Sequence, residues 1–199
     1  MCDDIYEKII YDKLEFHTLA SIEPSLKERC LTLNGVSKSY CMTGWRLGYC
    51  GAPKEIIAAM NKIQSQSTTS TSSITMAAAV EAISGPQDFI KEHNEKFLKR
   101  RDLVLNKLNN IDGITCLKPE GAFYVYPNCE GIIGKKTPNG SQIFNDEDFM
   151  TYLLEDQGVA GVHGAAFGLS PYFRLSYATS DAILEDACNR IKEACNKLT

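Results

Sequence analysis

Apolar positions recur at helical spacing in some stretches of the chain and cluster into short β-prone runs in others. Pro53 opens a predicted helix to about Gln64, since proline suits a first helical position. Ile74 to Ser84 is Ala-rich and helical, and Gly85-Pro86 separates it from a long amphipathic helix, Pro86 to Asn110. Asp146 to Gln157 is a further helix, and Ser180 caps a last one in which Leu184, Ala187, Cys188, Ile191, Cys195 and Leu198 share a face.

The β-prone runs are Cys30 to Leu33, ended by Asn34-Gly35, and Arg46 to Gly51. Beyond Asp112-Gly113 come Ile114 to Leu117 and Ala122 to Tyr126, parted by the turn signal Pro119-Glu120-Gly121, then Val159 to Val162 and Tyr172 to Tyr177. Asp3 to Tyr11 opens abruptly, with nothing before it to build a strand. Ser65 to Ser73 is a Ser/Thr tract expected as a solvated loop, and Glu130 to Asn145, rich in Gly, Lys and Asn, is expected as an exposed excursion. The order predicts an α/β chain: residues 86–199 form a small α/β sandwich, and residues 1–85 are the tail of another layered domain.

Composition narrows the class. Hydrophobic residues at 44% and charged residues at 23% are ordinary globular values. The 21 basic and 25 acidic side chains leave a net charge of -4, with the bases dispersed apart from Lys99-Arg100-Arg101, so nucleic acid is not an expected partner. No apolar stretch approaches the roughly 20 residues that cross a bilayer, and the acidic start, Met1-Cys2-Asp3-Asp4, lacks the basic character of a signal peptide. The eight cysteines form no C-x-x-C pair and none stands at zinc-finger spacing from His17, His93 or His163. Reduced thiols, no metal and a cytoplasmic location are expected.

A lysine taken alone is most simply a solvated surface charge. Lys38 stands instead between a buried apolar run and a Gly-containing loop, where a desolvated amine can attack an aldehyde. Arg46, eight residues on, is a fixed cation able to hold a phosphate bidentately.

The run Gly35-Val36-Ser37-Lys38-Ser39-Tyr40-Cys41-Met42-Thr43-Gly44-Trp45-Arg46-Leu47-Gly48-Tyr49 resembles, position by position, the pyridoxal-phosphate attachment motif of class I and II aminotransferases. It fixes a small-residue turn, the lysine, a glycine and the arginine at set distances. Asp3-Asp4-Ile5-Tyr6 is similar to the D-x-x-Y segment of that family, and Phe173-Arg174-Leu175-Ser176-Tyr177 to its carboxylate-binding strand. The resemblance implies a fold-type I enzyme, most similar to bacterial aspartate aminotransferases, with residues 1–85 from the cofactor-binding large domain and 86–199 its small C-terminal domain.

It implies roles as well. Lys38 attaches pyridoxal 5'-phosphate and is the catalytic base, Asp3 meets the pyridine nitrogen, Tyr6 meets the 3-oxygen, Ser37 and Arg46 hold the phosphate, and Arg174 clamps the substrate α-carboxylate. A carboxylate at the ring nitrogen keeps it protonated, which makes the ring an electron sink. Expected substrates are an amino acid, aspartate above all, and 2-oxoglutarate, with prephenate used by some relatives. Gln64 to Ser70 resembles a stretch that approaches the neighbouring subunit's cofactor phosphate, so a homodimer is expected.

The family's N-terminal region, with its Gly-containing phosphate loop and ring-stacking aromatic residue, has no counterpart here. The expectation is a C-terminal half: a fragment of a longer protein or a reading frame begun at an internal Met. Alternatives are a lyase of the same fold and a catalytically inactive fragment.

Overall fold

The computed structural model describes residues 1–199, which divide into two units, Met1–Asn94 and Glu95–Thr199, with the boundary inside one helix.

The first unit is built on a three-stranded sheet. Strand β1 (Cys2–Asp3) runs parallel to β2 (Thr32–Gly35), and β2 pairs antiparallel with β3 (Gly48–Gly51). Between β1 and β2 lie two single-turn helices, α1 (Leu19–Ile22) and α2 (Pro24–Lys27), the latter started by Pro24 at a first helical position. Asn34-Gly35 forms the last two residues of β2 and not a turn after it. Gly35 sits opposite Gly48, and a Cβ on Gly35 would come within 3.0 Å of the Leu47 carbonyl oxygen, so these two strands close up where side chains would hold them apart.

Helix α3 (Lys54–Ser67) follows Pro53 and runs past Gln64, taking in the first residues of the Ser/Thr tract. Ser65 and Ser67 hydroxyls donate to the Lys62 and Ile63 carbonyls at 2.9 and 3.0 Å, so these polar side chains are satisfied within the helix. The expected loop is thus confined to 68–72, since α4 (Ser73–Ser84) begins at Ser73. Gln87 closes the end of α4, donating to Ala82 and Gly85 carbonyls at 2.9 and 2.8 Å. Helix α5 (Asp88–Asn109) follows.

The second unit has a sheet of order β4-β6-β5, all antiparallel: β4 (Tyr124–Val125), β5 (Val162–His163) and β6 (Phe173–Ser176). Helix α6 (Asp146–Gln157) is capped by Asn145 at its start and Gly158 at its end, and α7 (Asp181–Asn196) by Ser180. Phe149 of α6 meets Phe173 of β6 edge to face at 5.6 Å, and Phe97 of α5 stacks on Phe123 at 5.4 Å. Both rings of the first pair are fully buried, with Leu153 and Ile191. The expected face of α7 is realised in the burial of Leu184, Cys188, Ile191 and Cys195.

Two further expectations fail for physical reasons. Residues 114–117 form no strand, only a bridge from Thr115 to Asn128. The Asn109 side chain takes both the N–H and the carbonyl of Cys116, at 2.7 and 3.0 Å, leaving no ladder to extend. The Gly/Lys/Asn stretch is also not a free excursion. Ile132 and Ile143 are buried within it, and Lys136 exchanges a pair of backbone hydrogen bonds with Thr199.

Candidate active site

The β2–β3 connection, residues 36–47, carries Ser37, Lys38 and Arg46. Val36 at its start is fully buried and Ser39 nearly so, which anchors the segment on both sides of the half-buried Lys38. Cys41 and Arg46 both adopt left-handed backbone, at φ 54°. Such conformations cost roughly 1–3 kcal/mol outside glycine and persist where surrounding structure imposes them. Here the Cys41 N–H bonds the Lys38 carbonyl at 3.2 Å and the Trp45 N–H bonds Met42.

The loop meets the end of β1. The Lys38 Nζ lies 5.7 Å from the centre of the Tyr6 ring, and Asp3, the last residue of β1, accepts the Ile5 N–H at 3.3 Å to start the turn that carries Tyr6. Because β1 and β2 are parallel, Asp3, Tyr6 and Lys38 gather at the same, carboxyl, end of the pair. Arg46 is exposed and spends one N–H on the Thr43 carbonyl at 2.8 Å; its other N–H groups and the Ser37 hydroxyl have no acceptor in the chain. A phosphate fits such a donor set.

Arg174 belongs to the second unit, where its surroundings are unusual. Its guanidinium carbon lies over both the Tyr124 and the Phe167 rings, 4.7 and 4.5 Å from their centres. That unit has four arginines. Arg100, Arg101 and Arg190 each pair with an aspartate, at 2.7, 2.8 and 2.8 Å, whereas the Arg174 side chain makes neither an ion pair nor a hydrogen bond. A planar fork in contact with two rings, with its N–H groups unspent, has the chemistry to receive a carboxylate.

Sequence reasoning treats Tyr124 as core and passes over Phe167. Tyr124 alternates with buried Val125 and lies on the Arg174 side of the sheet. Phe167 closes the short turn Gly164–Phe167, whose Gly-x-x-Phe-Gly spelling is the available signal.

An α/β chain with a lysine loop at the carboxyl end of parallel strands defines a class, and the family comparison agrees: residues 1–191 match aminotransferase class I and II, and the chain belongs to that family. Over 199 residues it is 58% identical to the aspartate aminotransferase of Rhizobium meliloti (strain 1021), covering 100% of this chain and 48% of that protein. It is 56% identical over 199 residues to the aspartate/prephenate aminotransferase of Cereibacter sphaeroides, covering all of this chain and 50% of the other.

Among solved structures, the Rhizobium meliloti aspartate aminotransferase superposes with a TM-score of 0.96 at 58% identity, over 98% of this chain and 49% of that one. An aromatic aminotransferase from Pyrococcus horikoshii OT3 gives 0.85 at 34% identity, over 98% and 50%. The chain therefore spans about half the length of the relatives it matches.

Proposed function

We propose that the full-length protein containing this chain is an aspartate aminotransferase that uses pyridoxal 5'-phosphate to move an amino group from aspartate to 2-oxoglutarate. The observation that carries the reading is Arg174, the one arginine of its unit without a carboxylate, its guanidinium in contact with two aromatic rings. Aspartate as substrate is supported by the names of the relatives at 58% and 56% identity.

Pyridoxal phosphate supplies an aldehyde and a ring that withdraws electrons from the substrate Cα–H bond. The chain's residues supply the rest. Lys38 would provide the amine that attaches the cofactor and, once released, would move the proton between the substrate Cα and the cofactor's C4′ carbon. Asp3 serves the ring nitrogen, Tyr6 donates to the 3-oxygen, and Ser37 and Arg46 hold the phosphate. Arg174 fixes the α-carboxylate so that the Cα–H bond stands where it can be broken.

Residues 1–85 serve as the end of the cofactor-binding large domain and 86–199 as the small domain. A homodimer belongs to this reading. Ile63, Ile74 and Val80 on α3 and α4 are 72%, 73% and 64% exposed, an apolar surface that a second subunit would cover. A cytoplasmic location suits eight unpaired cysteines.

The test is steady-state turnover of the full-length protein with aspartate in the presence and absence of 2-oxoglutarate. Oxaloacetate and glutamate formed together, and only when the 2-oxo acid is present, support the reading. Keto-acid-independent breakdown of the amino acid points to a lyase and overturns it.

A further inference from the structure

The segment between β5 and β6, residues 164–172, has no regular sheet structure beyond its short Gly164–Phe167 turn, yet it presents Phe167 to Arg174. Something must hold it. Asp146, at the start of α6, is 1% exposed, and its two carboxylate oxygens reach both ends of the segment. Oδ2 accepts the Ala165 N–H at 2.8 Å, and Oδ1 accepts the Ser170 hydroxyl at 2.6 Å. Phe167 lies between those two anchors.

The remaining contacts of the segment converge on the same geometry. Gly164 donates to the Tyr172 carbonyl at 2.6 Å, and a Cβ on Gly164 would collide with the Leu169 and Tyr172 carbonyl oxygens. The Tyr126 hydroxyl bonds the Gly164 and Leu169 carbonyls at 3.3 Å, while its ring meets Phe167 edge to face at 6.1 Å. Asp146 is the charged member of this set. Its hydrogen bonds are charge-assisted and so stiffer than the neutral ones around them.

We propose that Asp146 is a positioning residue for the carboxylate clamp: by fixing the 164–172 segment at both ends it seats Phe167 against Arg174, and so sets the plane in which the guanidinium meets a carboxylate. This rests on the reading of Arg174 as the clamp. A planar receptor free to tilt loses bidentate geometry, so loosening Phe167 weakens carboxylate binding without touching the groups that hold the cofactor.

In the full-length protein, Asp146→Ala is expected to raise the KM for aspartate and for 2-oxoglutarate about tenfold, with kcat changed less than threefold and cofactor affinity unchanged. Asp146→Asn should recover much of the loss, because its amide can accept from Ala165 and face Ser170. On a Phe167→Ala background the Asp146→Ala change should add little, since the two act through one contact. Ser170→Ala, which removes one anchor and leaves α6 intact, serves if Asp146→Ala does not fold, and should raise both KM values about threefold.

Full additivity of Asp146→Ala with Phe167→Ala, or a kcat loss equal to the KM rise, overturns the proposal and leaves Asp146 as scaffold. Arg174→Leu separates the two levels. Unchanged KM values in that variant sink the clamp itself, whereas raised values there with none in folded Ser170→Ala and Asp146→Ala protein sink the positioning role alone.

Discussion

The Lys38 Nζ lies 5.7 Å from the centre of the Tyr6 ring, so the loop after β2 meets the turn after β1 at this lysine. A phenylalanine would keep that ring contact and lose the hydroxyl. Tyr6→Phe should therefore fold normally and bind pyridoxal phosphate about 2- to 13-fold more weakly, matching a hydrogen bond worth roughly 0.5–1.5 kcal/mol. Tyr6→Leu should bind more weakly again. Spectrophotometric titration with the cofactor checks both; equal affinities for the three proteins would remove Tyr6 from the site.

Arg174→Leu should raise the KM for amino and 2-oxo acid alike, by about 10- to 150-fold, because a charge-assisted clamp of roughly 1.5–3 kcal/mol is lost. Cofactor affinity should be unchanged. A parallel fall in cofactor affinity would show that Arg174 serves the fold or the phosphate.

The thiols divide by environment. Burial pushes Cys116 and Cys188 up to about 11 and Cys129 and Cys195 up to about 12, so none is a thiolate near neutrality. Cys41 is exposed, with its sulfur 3.9 Å from His93 Nδ1. Alkylation of the native protein at pH 8, read by mass spectrometry, should mark Cys41 first and Cys116, Cys129, Cys188 and Cys195 only after unfolding. Early labelling of Cys129 or Cys195 would contradict their placement.

Burial alone would raise the Asp146 carboxyl, but the Ser170 hydroxyl and the Ala165 and Gly164 N–H groups outweigh it and hold the group below its ordinary value. The folded state thus binds this proton more weakly than the unfolded chain. Its stabilising contribution is complete above the unfolded value, near ~4, and is lost as pH falls through the lower folded value. Melting temperatures from pH 7 to pH 2.5 should fall more steeply for the native protein than for Asp146→Asn. Parallel curves would deny the linkage.

The helices were legible because their apolar spacing, prolines and capping residues agree, as with Pro53 before α3 and Ser180 before α7. The lysine loop was legible because the run Gly35 to Tyr49 resembles a family motif in which many positions are constrained, among them Gly35 and Gly48 where the two strands close up. Side chains that replace backbone partners were not. Asn109 removes the strand expected at 114–117, and serine hydroxyls let α3 run into a tract whose composition reads as loop. Asp146 escaped for a related reason: an acid in the first turn of a helix is ordinary, and its bonds to Ala165 and Ser170 join residues far apart in sequence.

The central claim is that Lys38 is the attachment lysine. Full-length protein incubated with pyridoxal phosphate, reduced with borohydride, digested and mapped by mass spectrometry should carry the label on the peptide containing Lys38, and Lys38→Ala should lose both the label and the visible absorption of the bound cofactor. Stoichiometric label on another lysine, or undiminished label in Lys38→Ala, would contradict the account.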